Sequence, residues 1–152
     1  MLRSPLDASA GDSPLPSWDL SDLYKAPGDA ALTADLARAE DQVRAFQERL
    51  AGQLAGLSGD ALAEAIAEYE RIEEVLGRVM SFAQLLFSGD AQDSENGRFY
   101  QTMQERVTQI SSHLVFFTLE LNHVTEAALE QKLQSSPALA RFRPWLRDLR
   151  VW

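Results

Sequence analysis

The 152-residue sequence contains no cysteine. That absence excludes disulfides, thiolate catalysis and cysteine-based zinc sites, and it fits a reducing compartment. Histidine is nearly as scarce, with only His113 and His123. Positive charge is also short: 14 Lys and Arg stand against 23 Asp and Glu, a formal net charge of −9 that repels nucleic-acid phosphates and anionic lipid. No long apolar run occurs. The longest, Leu114 to Leu119, is interrupted by Thr118 and followed by Glu120, far below the roughly 20 residues a membrane span requires. The first 16 residues hold no apolar run of signal-peptide length, and the whole sequence lacks a glycine-rich phosphate loop, a serine nucleophile elbow and a His-Glu-x-x-His zinc motif. The expectation is a soluble, cytoplasmic chain with neither nucleic-acid nor membrane partners, and with no catalytic, cofactor-binding or metal residue of its own.

What the sequence does contain is helical periodicity. Residues 1–16, with Pro5, Pro14 and Pro16, read as a disordered tail, and residues 17–152 as one helical domain. Ser17 caps a short turn through Trp18 and Tyr24 that Pro27-Gly28 ends. From Asp29, the positions Leu32, Leu36, Ala39, Val43, Phe46, Leu50 and Leu54 recur at steps of four and three, predicting a first long helix that decays at Gly52 and Gly56. Ser58-Gly59-Asp60 starts a second, with Leu62, Ile66, Tyr69, Leu76, Met80, Ala83 and Phe87 on its stripe and Gly77 as a weak interior point; Ser88-Gly89-Asp90 breaks it. After Asp93, the stripe Phe99, Met103, Val107, Ile110, Leu114, Phe117 and Leu121 predicts a third long helix without interruption. Thr125 caps a shorter fourth carrying Leu129 and Leu133, Ser136-Pro137 opens a further one, and Pro144 divides the last stretch.

Nothing alternates with period two, so the expected class is all-α: long antiparallel helices forming a hairpin or bundle layer. At about 1.5 Å per residue such rods reach roughly 40 Å, a length suited to a layer that packs on another domain. The sequence stops within an apolar stripe, Trp145, Leu149 and Trp152, with no glycine or polar tail to close a helix. It is therefore expected to be the front part of a longer polypeptide, with both end indoles unsatisfied.

Candidate chemistry is sparse. Glu120 and His123 have the Glu-x-x-His spacing of di-iron bundles, but His113 has Ile110 where a second glutamate would stand. The pair is therefore read as capping or solvated. The carboxylates Glu40-Asp41, Glu64, Glu68, Glu70 and Glu73-Glu74, interspersed with Arg38, Arg44, Arg49, Arg71 and Arg78, read as a solvated face. An acidic wall selecting cationic peptides is the functional alternative. Phe116-Phe117 and Phe99-Tyr100 read as core, with an apolar groove as their alternative.

Four segments together resemble the N-terminal region of the oligoendopeptidase F family, zinc peptidases related to thimet oligopeptidase. They are Trp18-Asp-Leu-Ser-Asp-Leu-Tyr24; Tyr69-Glu70 with Ser81-Phe-Ala-Gln-Leu85; Ser88-Gly-Asp90 with Asp93; and Phe116-Phe-Thr-Leu-Glu-Leu121. Their order and spacing fit from about Ser17 to Trp152. The resemblance implies a helical region that helps wall a substrate channel for oligopeptides. It also implies that zinc, its His-Glu-x-x-His ligands and the catalytic glutamate belong to a C-terminal catalytic domain absent from this sequence, leaving this chain inactive alone. The rival expectation is a free-standing helical interaction module that forms a homodimer through exposed faces, supported by the heptad-like spacing of Leu32 to Leu50.

Overall fold

The computed structural model describes residues 23–150. The expected tail, the Ser17 cap and Trp152 lie outside them. Seven α-helices and two 3-10 turns make up the regular structure of the described residues, with no strand among them, so the chain is all-α.

Helix α1 (Ala30–Leu50) starts where the Asp29 carboxylate accepts from the Ala31 and Lys25 amides. It stops at Leu50, short of the expected stripe end, because Gly52 adopts φ +79°, a left-handed geometry that costs glycine little. Leu54 is fully buried all the same, carried on a 3-10 turn (Leu54–Gly56) after the chain has changed direction. Helix α2 (Gly59–Gly89) follows, with Ser58 Oγ accepting from the Ala61 amide. Its buried set is wider than one stripe: Ile72, Val79 and Phe82 join Leu62, Ile66, Leu76 and Ala83, while Tyr69, Met80 and Phe87 are only part-buried. A helix with neighbours on more than one side has to be apolar on more than one side.

Helix α3 (Ser94–Ser111) begins at the Asp93 cap. The expected single helix to Leu121 is divided by a 3-10 turn (Ser112–Leu114) before α4 (Val115–His123). There the Ser112 hydroxyl donates to the Gln109 carbonyl at 2.7 Å, competing with the regular backbone ladder. The backbone stays right-handed through Ser112 and Val115, so Met103, Ile110, Leu114, Phe117 and Leu121 still form one buried line. Helices α5 (Glu126–Ser135), α6 (Pro137–Ala140) and α7 (Arg143–Leu149) start as the sequence predicts, at Thr125, at Ser136-Pro137 and with Pro144 in the first turn.

Helix α2 packs against α1, α3 and α6. Asp35 near the start of α1 meets Arg78 in the second half of α2, and Arg49 near its end meets Glu68 in the first half. Two aromatic groups fill the interior. Phe82 is edge-on to Tyr24 at 5.5 Å and to Phe99 at 6.0 Å between centroids. Nearer the start of α2, Phe46, Phe116 and Phe117 cluster, Tyr69 stacks on Phe117 at 4.8 Å, and Trp145 meets Tyr69 edge-on at 6.0 Å. Trp145 is thus part-buried against the core, contrary to the expectation of an unsatisfied ring. The Leu32 to Leu50 seam is also enclosed, every member of its buried set being at most 6 % exposed, which withdraws it from pairing with a second chain.

Candidate functional site

The Glu-x-x-His pair is divided between two structural tasks. Glu120 accepts from the Gly52 amide at 2.5 Å through Oε2 and from the Leu54 amide at 3.3 Å through Oε1. A carboxylate there answers the unpaired N–H groups at the front of the 3-10 turn. His123 Nδ1 lies 2.7 Å from the Leu119 carbonyl, which can only accept, so this nitrogen carries the proton and closes the end of α4. His113 Nδ1 lies 3.1 Å from Gln47 Oε1 on α1. Among the described residues no group of three or more His, Asp or Glu side chains is placed to hold a metal ion.

The same loop is held from its other side. Lys132 Nζ on α5 donates to the Ala55 carbonyl at 2.9 Å and to that of Leu57. Residues 52–57 therefore have an anion on their amides and a cation on their carbonyls, in the order the dipole of a short helical turn favours. Arg150 acts likewise, donating to the Leu121 carbonyl and, at 2.7 Å, to that of Val124 at the end of α4. Ser136, the one buried polar residue among those described, donates to Asp60 Oδ1 at 2.5 Å and accepts from the Leu139 amide. None of these roles was assigned from the sequence. Glu120 stood out only as a charge ending an apolar run, and its partners are 66 and 68 residues away.

The arginine-laced carboxylates divide into paired and solvated groups. Glu40 receives Arg106 at 3.0 Å and Arg44 at 2.9 Å, joining α1 to α3, and these two guanidinium hydrogen bonds, Arg106 first, hold its carboxyl below the usual range. Glu68 pairs with Arg49 at 2.6 Å, while Glu64, Glu70, Glu73 and Glu74 project into solvent along α2. The aromatic pairs do not line a common groove: Phe116 and Phe117 join Phe46 and Tyr69, whereas Phe99 joins Phe82 and Tyr100 stacks on Phe87 at 5.5 Å. Burial, with Glu73 nearby, pushes the Tyr69 phenol up to about 12, and burial with the Asp35 hydrogen bond does the same for Tyr24, also to about 12.

A cleft of about 540 Å³ lies between α5 and α7, over Leu129, Leu133 and Leu146 and rimmed by Glu126, Glu130, Arg143, Arg147 and Arg150. Two of its three guanidiniums are engaged. Arg143 binds Glu130 through both terminal nitrogens, at 3.1 and 3.2 Å, and Arg150 caps α4. The Glu130 carboxyl is lowered by that arginine. Such a cleft offers solvated ion pairs over nearly closed leucines, and it presents no nucleophile, general base or oxyanion donor set. No family model, no curated protein and no solved structure matches the chain, so the arrangement rests on its own geometry.

Proposed function

We propose that this chain is the N-terminal helical region of a cytoplasmic zinc oligoendopeptidase of the oligoendopeptidase F type, helping to wall a channel for short peptides and carrying no chemistry itself. The observation behind the reading is the ordered succession of resembling segments. Two of them meet in space, since Tyr69 of the second stacks at 4.8 Å on Phe117 of the fourth. Phe82, Ala83, Phe117 and Leu121 from these segments are core residues, and Glu120 fixes the turn between α1 and α2. The segments behind the resemblance thus build the scaffold, a role consistent with a wall.

In this reading zinc and its ligands belong to a catalytic body that follows in the full-length protein, where the metal would lower the pKa of bound water and polarise the scissile carbonyl. No step of that chemistry is assigned to a residue of this chain. The test is the reading frame beyond codon 152 together with an assay of the full-length product on a quenched-fluorescence oligopeptide. The expected result is a His-Glu-x-x-His motif downstream, cleavage abolished by a chelator and restored by zinc, and no cleavage by the 152-residue chain. A stop codon directly after Trp152, or a continuing frame without the motif, would overturn the proposal.

A further inference from the structure

Charge is unevenly spread over the exposed positions. On α1, five of twelve exposed residues are charged, and on α2 six of eleven. Along the continuous rod of α3, the 3-10 turn and α4, only Glu105 is charged among nine exposed residues from Gln101 to Leu119. On this rod Gln101, Gln104, Thr108, Ser112, Val115 and Leu119 recur at steps of three and four. The two exposed large hydrophobic residues among those described are Val115, 51 % exposed, and Leu119, 53 % exposed. Both lie on this face, one helical turn apart. Low charge and apolar exposure are separate observations, and they coincide here.

We infer that the outer face of α3 and α4 is where two copies of this chain associate, around a two-fold axis. The identity of the occupant follows from charge and symmetry. Each copy carries a net charge of −9, so approach is least opposed where neither presents charge. At a two-fold axis a patch meets itself, and a charged patch would meet its own sign. Gln, Thr and Ser each carry a donor and an acceptor, so they can pair with their own kind, and Val115 and Leu119 can bury against their symmetry mates. The size of the face sets the strength. From Gln101 to Leu119 the rod spans about 27 Å, and with a helix about 10 Å wide the footprint is about 270 Å², against about 800 Å² per partner in a standard interface. The dimer is accordingly weak, with a dissociation constant of about 100 µM or higher. This inference does not depend on the peptidase reading.

Sedimentation equilibrium of the 152-residue chain from about 10 µM to about 1 mM, at low and physiological salt, tests it. The expected result is a dimer whose population rises with concentration and with salt, because screening weakens the repulsion between copies while leaving the uncharged contact intact. Leu119→Glu and Val115→Glu should each weaken association by about tenfold or more without changing helix content or melting temperature. A monomer across the whole range would overturn the inference, as would a dimer that salt dissolves or that neither substitution affects. So would a monomer destabilised by Leu119→Glu, since the face would then be covered by the chain's own residues.

Discussion

Tyr24 and Tyr69 illustrate how burial alone can set the behaviour of a side chain far from any catalytic centre. Both phenols are raised from the ordinary value of 10.0 to about 12, with burial the largest cause in each case. A group whose folded value lies above its unfolded one contributes stability fully below the unfolded value and loses it as pH rises through the folded value. The contribution of these two phenols should therefore be intact below about pH 10 and vanish on the way to about 12. Ultraviolet difference titration is expected to record two late-ionising tyrosines, with loss of helical circular dichroism in the same interval. Tyr24→Phe and Tyr69→Phe should each remove one of them. Ionisation of either phenol near its ordinary value would mean that the ring is not enclosed as described.

Within α2, two glycines with the same propensity have opposite meanings. Nothing lies within 4 Å of a Cβ built on Gly77, which sits exposed in the middle of the helix. Gly77→Ala should therefore raise stability by about 1 kcal/mol through helix propensity and a less flexible unfolded chain. A Cβ on Gly59 would stand 2.5 Å from the Lys132 carbonyl oxygen and 2.6 Å from Ser136 Cβ. Gly59→Ala should lower stability by about 1–3 kcal/mol by forcing α2 away from the end of α5. Urea melts of the two variants should shift in opposite directions. Gly77 was legible in the sequence as a weak point, because propensity is local. The crowding at Gly59 was not, because it depends on Lys132 and Ser136, more than 70 positions away in the chain. The same division runs through the whole fold. Ser58, Thr125, Ser136 and Pro144 mark helix starts from sequence because a cap acts within three residues. The second and third buried faces of α2, the turn at Ser112 and the separate uses of Glu120 and His123 all follow from partners or from local competition that spacing does not encode.

Across the molecule, Phe117 is the residue on which most elements converge. It is fully buried on α4, lies 5.2 Å from the Phe46 ring of α1 and stacks on Tyr69 of α2, which in turn meets Trp145 of α7. Phe117→Ala should cost about 3–5 kcal/mol, a large part of the stability of a domain this size. Near-ultraviolet circular dichroism should show the Trp145 environment loosening along with the lower denaturation midpoint; an unchanged Trp145 signal would mean that α7 is held independently of the ring stack. The turn at Gly52 has a different reach. Its clasps arrive late in synthesis, since Glu120 follows Gly52 by 68 residues and Lys132 follows Leu57 by 75. At about 5–20 residues per second, a ribosome takes several seconds to supply them. During that interval α1 and α2 exist with an unlatched corner, and the angle between them becomes fixed only when the growing chain folds back and fastens it.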